Sequence, residues 1–308
     1  MLSLCCLTRE GKKEGTGSLS RVSVRELRSA MRVMTARLTS KLNLRVGVSE
    51  VKRLVLGRRA LQGLFEFCFR LGLSGMNYGP ASPAETGELA VIDRLAREQR
   101  DHRPVVFDVG ANVGDYATAV LERFLDVELH CFEPSPGAFA RLHQRIGSNR
   151  ASPSLHPFGL GACDVTVPFY ADAPGSGLGS VYSRRLDHYG IPFDRQYDVR
   201  LRRLDDVAAE LSIGGIDLLK LDVEGHEVAV LEGARETLER RVIAAIQFEF
   251  GGANIDARTF FQDLWYVLSP HYRIYRIVRD GLVELPEYRD AYEIFVTANY
   301  LCLLREGE

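Results

Sequence analysis

The sequence contains no apolar run long enough to cross a membrane and no cysteine pattern typical of a metal or redox site. Its most apolar stretch, residues 64–73, is interrupted by Glu66 and Arg70, whereas a spanning helix needs about 20 mostly apolar residues. The six cysteines are scattered without a C-x-x-C pair, and no histidine stands at zinc-ligand spacing. We therefore expect no transmembrane helix, reduced thiols and no metal ligands.

The N-terminus also lacks the features of a secretory signal. The apolar residues 2–7 are few and are followed by charges instead of a cleavage site with small residues. The sequence therefore predicts a cytoplasmic protein. With 308 residues, of which 46% are hydrophobic, the chain can form one large α/β domain and an extension.

Charge is unevenly distributed along the chain. The net charge is +10 over residues 1–75 and −12 over the remainder. Residues 1–20 are rich in Gly, Ser, Lys and Glu and are predicted to be disordered. Residues 21–85 are predicted to form a basic helical extension and connector, and residues 86–308 the main domain. Because that domain is acidic and would repel phosphate, we expect no nucleic-acid partner.

The extension has the pattern of basic helices. Apolar residues recur at helical spacing from Val24 to Leu42, with arginines between them, and a second helix is predicted over residues 49–73. A basic amphipathic helix either packs on its own domain or lies on an anionic membrane surface. Peripheral membrane contact through residues 21–75 therefore stays an open alternative.

From Glu88 onward, strand-like and helical segments alternate, which predicts a parallel sheet with helices on both faces. Two extended runs, 165–170 and 196–201, flank a Gly-rich segment, 174–180, which we expect to be a mobile, functional loop. The predicted strands of the main sheet cover residues 105–109, 127–132, 154–160, 216–222, 242–249, 272–278, 282–285 and 293–304. The predicted helices cover residues 88–98, 114–125, 136–147, 204–211, 225–240 and 257–267.

The first strand of this pattern leads directly into a glycine-containing loop. The strand ends at Asp108 and is followed by Gly110-x-Asn112-x-Gly114, and the second strand ends at Glu133. Glycines let the backbone approach a ligand, and a carboxylate after the second strand can accept hydrogen bonds from ribose hydroxyls. The arrangement predicts a site for an adenosine-type cofactor.

The residue pattern of the loop favours one such cofactor over another. A dinucleotide loop reads G-x-G-x-x-G, whereas this loop is one residue shorter and has the amide of Asn112 at its centre. S-adenosylmethionine has no phosphate but carries an amino-acid carboxylate and ammonium, which suit a polar loop with fewer glycines. The sequence favours S-adenosylmethionine, with a dinucleotide or an ordinary strand–loop–helix junction as alternatives.

A second acidic cluster follows the strand that begins at Ile216. Lys220, Asp222 and Glu224 interrupt an aliphatic run at alternate positions, so we expect them on one face at the ligand edge of the sheet. Asp222 and Glu224, with His226, are the candidates to take a proton from an acceptor hydroxyl, and Lys220 is expected to orient the carboxylates. Oxygen ligands of this kind would also suit Mg²⁺ or Mn²⁺, and a Lys–Asp pair with a purely structural role is the plainer alternative.

Several motifs in this order resemble the FkbM-type methyltransferases. They are VFDVGANVGDY, CFEP, RLDDV, DLLKLDVEGHEVAVLEGA, IQFEF and TANYLCLL, and the resemblance covers roughly residues 87–304. The segment Asp217–Glu227 is the most specific of them. The segment FDVGAN alone marks only the broader class of S-adenosylmethionine-dependent enzymes.

This resemblance implies a class I methyltransferase fold, a Rossmann-like sheet of seven strands whose last strand runs antiparallel. It also implies O-methylation of a hydroxyl on a sugar, glycan or natural product. Asp108, Gly110, Asn112 and Gly114 would form the cofactor loop, and Glu133 would hold the ribose.

Two other functions remain open from the sequence. In a metal-dependent nucleotide-sugar glycosyltransferase, Asp222 and Glu224 would hold the metal and the diphosphate. A non-catalytic scaffold would bind the cofactor and be recruited by its basic N-terminus. Arg184, Arg185 and His188 are candidates to contact an anionic or sugar acceptor, or else belong to a solvated loop.

Overall fold

The computed structural model of the chain describes residues 55–79, 86–97, 101–149 and 152–305. The predicted disorder of residues 1–20 and the predicted helix from Val24 to Leu42 lie outside the described residues. The chain divides into two units, residues 1–66 and 67–308, and the second contains both sheets. The bounds predicted from the sequence, 1–20, 21–85 and 86–308, stay predictions.

The described residues form eleven strands and nine α-helices. The strands are β1 (Val105–Val109), β2 (Glu128–Phe132), β3 (Ser154–His156), β4 (Gly159–Leu160), β5 (Val165–Ala171), β6 (Arg195–Arg202), β7 (Ile216–Leu221), β8 (Ile243–Phe250), β9 (Tyr272–Val278), β10 (Gly281–Leu285) and β11 (Ala298–Leu304). The helices are α1 (Gln62–Gly75), α2 (Glu88–Arg97), α3 (Asp115–Arg123), α4 (Pro136–Ile146), α5 (Leu204–Glu210), α6 (Glu227–Glu232), α7 (Arg235–Glu239), α8 (Ala253–Ala257) and α9 (Phe261–Leu268).

The main sheet has the strand order β10-β9-β11-β8-β7-β1-β2-β3. Strands β3, β2, β1, β7 and β8 are parallel, whereas β11 runs antiparallel to β8 and β9. Seven of these strands follow the predicted arrangement, with the last strand antiparallel. Strand β10 adds an eighth through a hairpin whose turn is Arg279-Asp280, one residue before the predicted Asp280-Gly281. The predicted α/β class and sheet are confirmed.

A smaller sheet with the order β4-β6-β5 accompanies the main one. The single strand predicted over residues 154–160 is divided between the two sheets, because β3 pairs with β2 while β4 pairs with β6. The predicted helix 225–240 is also divided. It is interrupted at Gly233, where a side chain would overlap the carbonyl oxygen of Gly161.

Alternation of side chains divides the core between the two faces of the main sheet. On β1 and β7, Phe107 and Leu219 belong to one buried apolar cluster, whereas Val106 and Leu218 belong to another. Because both faces are covered, these strands are mostly apolar, as is usual for parallel strands. The polar residues at their ends are therefore exceptions that need a specific reason.

Two acids in the sequence motifs have structural partners away from the sheet's ligand edge. The carboxylate of Asp217, on β7, accepts from the backbone N–H of Val105 over 2.8 Å and lies 3.0 Å from His102 Nε2. The carboxylate of Asp205 accepts from the N–H groups of Glu236 and Thr237 in the first turn of α7, which supplies partners to the free amides of a helix N-terminus. Within the described ranges, no helix is both long and apolar enough to cross a membrane.

Candidate functional site

The loop after β1 is shaped by two glycines with left-handed backbone. Gly110 has φ +82°, and a Cβ there would overlap the carbonyl oxygen of Asp222. Gly114 has φ +87° and precedes the first residue of α3. Asn112 between them also has positive φ, at +46°, which is uncommon for a residue with a side chain. The loop is therefore held close to the end of β7.

Glu133 connects the ends of β1 and β2. One of its carboxylate oxygens accepts from the backbone N–H of Asn112 over 2.8 Å, and the other from that of Ser135 over 2.7 Å. Burial raises the pKa of Glu133 to about 7, although both backbone N–H groups oppose the shift. The structure thus brings together two of the residues predicted to bind the cofactor.

Asp108 and Gly114 were predicted to bind the cofactor together with Asn112 and Glu133, but the structure places them differently. Asp108 is fully buried and lies beneath the loop, where its Oδ1 is 3.4 Å from Lys220 Nζ. Burial raises the pKa of its carboxyl group, and the Lys220 ammonium opposes the shift. Neither Asp108 nor Gly114 lines the pocket described below. Their assignment to the cofactor site stays a prediction.

Lys220 lies at the centre of a buried polar network. Its Nζ is 3.1 Å from Asp222 Oδ2 and 4.8 Å from the centre of the Tyr116 ring. Burial would lower the pKa of Lys220, but the charges of Asp222, Asp108 and Glu88 outweigh it and hold that pKa well above the usual value. The ammonium therefore stays protonated between Asp108 and Asp222, and its expected role in orienting Asp222 and Glu224 stays a prediction.

The same network continues through side chains for which the sequence predicted no role. Tyr116 donates to Gln247 Oε1 over 3.0 Å, and Gln247 Nε2 donates to Glu88 Oε1 over 2.9 Å. Thr86 donates to the other oxygen of Glu88 over 2.8 Å. These hydrogen bonds supply partners to polar groups that would be costly to bury alone.

Glu224 is hydrogen-bonded to Arg184, a contact that the sequence did not reveal. Its Oε2 accepts from Arg184 Nη1 over 2.6 Å, and the two side chains are only 17% and 9% exposed. Burial and the nearby charge of Asp222 raise the pKa of Glu224 to about 8, against the opposing effect of Arg184. Glu224 also has positive φ, at +52°. Lys220 and Asp222 share one contact as predicted, whereas Glu224 is directed to a separate partner.

His226 presents one free ring nitrogen to the site. Its Nδ1 lies 3.0 Å from the hydroxyl of Tyr182, and its buried Nε2 has no hydrogen-bond partner among the described residues. Burial lowers the pKa of His226 to about 4, so the ring is neutral at physiological pH. A ligand in the pocket can supply the missing partner.

Two further acids, Glu227 and Glu249, lie near the loop after β7. Glu227 accepts from the N–H groups of Val223 and Gly225 and from the side-chain amide of Asn254, which holds the loop in shape. Burial raises the pKa of Glu227 to about 7. Burial and the charges of Asp222 and Glu224 raise the pKa of Glu249, at the end of β8, well above its usual value.

These elements enclose one pocket at the carboxyl ends of the parallel strands, which we call the donor pocket. Asn112 and Glu133 line one part of it, and Asp222, Glu224 and His226 line another. The Gly-rich segment supplies further lining residues through Ser176, Gly177 and Gly179. That segment is joined to the loop after β7, because Ser180 Oγ donates to the carbonyl oxygen of Glu224 over 2.8 Å. The Gly-rich segment therefore lines the pocket, and its predicted mobility stays a prediction.

The donor pocket suits S-adenosylmethionine in its polar and apolar groups. Glu133 offers carboxylate oxygens for ribose hydroxyls, while Leu160, Phe169 and Val181 provide an apolar wall. Asn112 Oδ1, like His226 Nε2, is buried and has no partner among the described residues. An amide oxygen is a suitable acceptor for an ammonium group. Within the described ranges, no group of three or more His, Cys, Asp and Glu residues could hold a metal ion.

Comparison with known families decides which class of α/β protein this is. The sequence matches the Methyltransferase FkbM domain over residues 108–277, more than half of the 308-residue chain. The chain belongs to the FkbM methyltransferase family. The family resemblance and S-adenosylmethionine as cofactor are confirmed. The matched range of this FkbM domain includes the loop after β1, Glu133 and the loop after β7.

Three curated relatives are similar over part of their length. The 2-O-methyltransferase NoeI of Sinorhizobium fredii is 31% identical, covering 50% of this chain and 67% of NoeI. The 31-O-demethyl-FK506 methyltransferase FkbM of Streptomyces tacrolimicus is 31% identical, covering 43% of this chain and 60% of that protein. The hexuronic acid methyltransferase AglP of Haloferax volcanii is 26% identical, covering 54% and 64%. The chain thus spans about two thirds of these relatives or less.

Solved structures resemble the chain more distantly. The METTL16 methyltransferase domain has 8% identity and a TM-score of 0.42, covering 74% of this chain and 70% of that one. The O-methyltransferase from Bacillus cereus in complex with SAH has 9% identity and a TM-score of 0.38, covering 83% and 96%.

Proposed function

We propose that the protein transfers a methyl group from S-adenosylmethionine to a hydroxyl oxygen of a sugar, glycan or natural product. The observation that carries this proposal is the content of the donor pocket. Glu133 and Asn112, which we propose bind the nucleoside and its amino acid, line the same pocket as Asp222 and His226. The relatives named above as a 2-O-methyltransferase, a hexuronic acid methyltransferase and a 31-O-demethyl-FK506 methyltransferase support the choice of acceptor class.

In the proposed reaction, the acceptor oxygen forms a bond to the methyl carbon as the carbon–sulfur bond breaks. S-adenosylmethionine, when bound, supplies an electrophilic methyl group on a positively charged sulfur. Positive charge disappears from the donor during transfer, so alignment in a pocket of low polarity contributes much of the rate. The protein's own residues then have two tasks: to align the acceptor and to remove its hydroxyl proton.

We propose that Asp222 takes the proton of the acceptor hydroxyl. It faces the donor pocket, its side chain is 37% exposed, and Lys220 fixes its Oδ2. Its Oδ1 accepts no hydrogen bond from the described residues, which leaves this oxygen available to an acceptor hydroxyl. Glu224 is less suited, since its pKa of about 8 leaves much of it protonated at neutral pH. His226, with Nε2 free, is proposed to orient the acceptor.

The test is transfer of a labelled methyl group from S-adenosylmethionine to fractionated extract of the host organism. Wild-type protein is expected to label a fraction that resists alkali, as an ether does, and Asp222→Asn is expected to lose most of that labelling. Labelling confined to protein or nucleic acid, or none with protein that binds S-adenosylhomocysteine, would contradict the proposed acceptor class.

We further propose a cytoplasmic protein with a small-molecule or glycan acceptor, no nucleic-acid partner and peripheral membrane contact through residues 21–75. Support for the contact comes from α1, on which Phe67, Phe69 and Leu71 are each more than 60% exposed, and from the net charge of +10 over residues 1–75. Pelleting of the full chain with vesicles of anionic lipid tests this. Binding that is weakened by salt is expected, and equal recovery with neutral vesicles would contradict it.

A further inference from the structure

A second cavity, of about 530 Å³, is linked to the donor pocket by the contact between Arg184 and Glu224. We call it the arginine cavity, because Arg184, Arg185 and Arg258 all line it. Arg184 connects the two spaces, since its guanidinium lines the arginine cavity while its partner Glu224 lines the donor pocket. An acceptor in the arginine cavity would therefore lie beside Glu224, which lines the donor pocket together with Asp222 and His226.

The charge of this cavity differs from that of the surrounding edge of the sheet. Arg185 and Arg258 form no ion pair with any described residue, so both guanidinium groups are available to a ligand. Asp256 is the one acidic residue among those lining the cavity, and its Oδ2 is engaged by the backbone N–H of Arg185 over 3.2 Å. Arginine is well suited to carboxylate and phosphate groups because its planar donors match two oxygens at once.

The backbone at Arg258 also points to a role for its side chain. Arg258 ends α8 with φ +57°, in the left-handed region. Glycine or asparagine is the usual residue at such a helix end, because a side chain there costs free energy. Arg258 thus adds a positive charge to the lining of the cavity.

Aromatic groups line another part of the cavity. His188 and Tyr189 have ring centres 4.1 Å apart, and Tyr189 is 72% exposed. An exposed aromatic ring offers an apolar face and, for tyrosine, a polar hydroxyl. This combination suits the apolar and hydroxyl-bearing faces of a sugar ring.

We propose that the acceptor is a sugar unit bearing a negatively charged group, a carboxylate or a phosphate, which Arg185 and Arg258 bind in the arginine cavity. The inference rests on the proposed O-methylation and names its substrate class. With the anion held there, a hydroxyl of the same or the next sugar reaches Asp222 and His226. Neutral sugars would lack this contact and bind more weakly.

The test measures binding in the presence of saturating S-adenosylhomocysteine, so that it does not depend on turnover. The probes are p-nitrophenyl β-glucuronide, glucose 6-phosphate and p-nitrophenyl β-glucoside, titrated calorimetrically into wild type, Arg185→Gln/Arg258→Gln and Arg279→Gln. Arg279, in the turn between β9 and β10, is an exposed arginine outside the cavity lining and serves as the matched control.

We expect at least one anionic probe to bind about tenfold more tightly than the glucoside, a difference of about 1.4 kcal/mol. The double variant is expected to lose this preference, and Arg279→Gln to keep it. Which anionic probe binds better identifies a carboxylate or a phosphate as the recognised group. Equal binding of charged and neutral probes, absence of binding by all three, or a preference that survives the double substitution would overturn the inference. Binding of S-adenosylhomocysteine in the same titrations reports separately on the proposed function.

Discussion

The α-carbon of Gly110 lies so close to the carbonyl oxygen of Asp222 that no Cβ fits between them. The backbone N–H of Asp222 also donates to the carbonyl oxygen of Val109 over 3.0 Å. The cofactor loop and the loop that carries the proposed base are thus joined by backbone contact. Displacing either loop is expected to disturb the other.

We therefore expect Gly110→Ala to destabilise the fold and to weaken binding of S-adenosylhomocysteine. The substitution adds a side chain at φ +82° and a steric overlap, and left-handed backbone alone costs about 1–3 kcal/mol. Thermal unfolding and calorimetric titration measure the two effects. Gly214→Ala, at a glycine with open space around its Cβ, is the control and is expected to behave as wild type. Equal behaviour of the two variants would contradict the steric account.

Glu133→Gln is expected to weaken S-adenosylhomocysteine binding by about ten- to a hundredfold, because one acceptor oxygen is replaced by a donor. The change also removes an acceptor from the backbone N–H of Asn112 or of Ser135. Titration calorimetry measures the dissociation constant, with Glu284→Gln on the exposed edge strand β10 as the matched control. An unchanged dissociation constant would remove Glu133 from the cofactor site.

Asp222→Asn is expected to lower kcat by about 10²–10⁴ while S-adenosylhomocysteine binds almost as before. An amide keeps the shape of the side chain but cannot take the acceptor proton. Initial rates of methyl transfer at saturating donor concentration measure the effect, and Asp280→Asn in the β9–β10 turn is the control. Retention of wild-type kcat would assign proton removal to another group, with His226 the next candidate.

Stability is expected to fall as pH rises from about 6.5 to about 8, because burial raises the pKa of Glu224 from 4.5 to about 8. In that window the folded protein holds a proton that the unfolded chain has released, so the stabilisation is complete below the unfolded pKa and is lost through the folded one. His226 changes stability in the opposite direction, because burial lowers its pKa from 6.5 to about 4. Its contribution therefore varies mainly below pH 6.5, outside this window.

Thermal melts of Glu224→Gln across the same window are expected to show a shallower decline, by at most about 1.4 kcal/mol per pH unit. Glu133 and Glu227, with pKa values of about 7, maintain part of the slope in the variant. Glu284→Gln again serves as the control and keeps the wild-type slope. A variant with an unchanged slope, or a wild type that gains stability over this range, would contradict the assignment.

Local sequence patterns predicted the sheet and the ends of its strands well. Short, largely apolar runs that end in glycine or acid located β1, β2 and β7, and the position of Glu133 after β2 followed from them. Asn112 and Asp222, loop residues close in sequence to a strand end, both line the donor pocket, and their roles there stay predictions. The division of the predicted strand 154–160 between two sheets depends on pairing with β6, which is distant in sequence.

Contacts between distant segments were not legible in the sequence. Arg184 and Glu224 are 40 residues apart, Tyr182 and His226 are 44 apart, and Glu88 and Gln247 are 159 apart. Nothing local signals these pairs, because each depends on how a loop or helix packs against a strand. Glu88, at the start of α2, gave a sign of such a contact. It interrupts the apolar face of the helix, and a buried carboxylate needs a partner.

The measurement that tests the central claim most directly is calorimetric titration of the wild-type chain with S-adenosylhomocysteine, beside NAD and a UDP-sugar. The account predicts saturable binding of S-adenosylhomocysteine, one molecule per chain, and no saturable heat from the other two. Binding of NAD or of the UDP-sugar in place of S-adenosylhomocysteine by folded protein would contradict it.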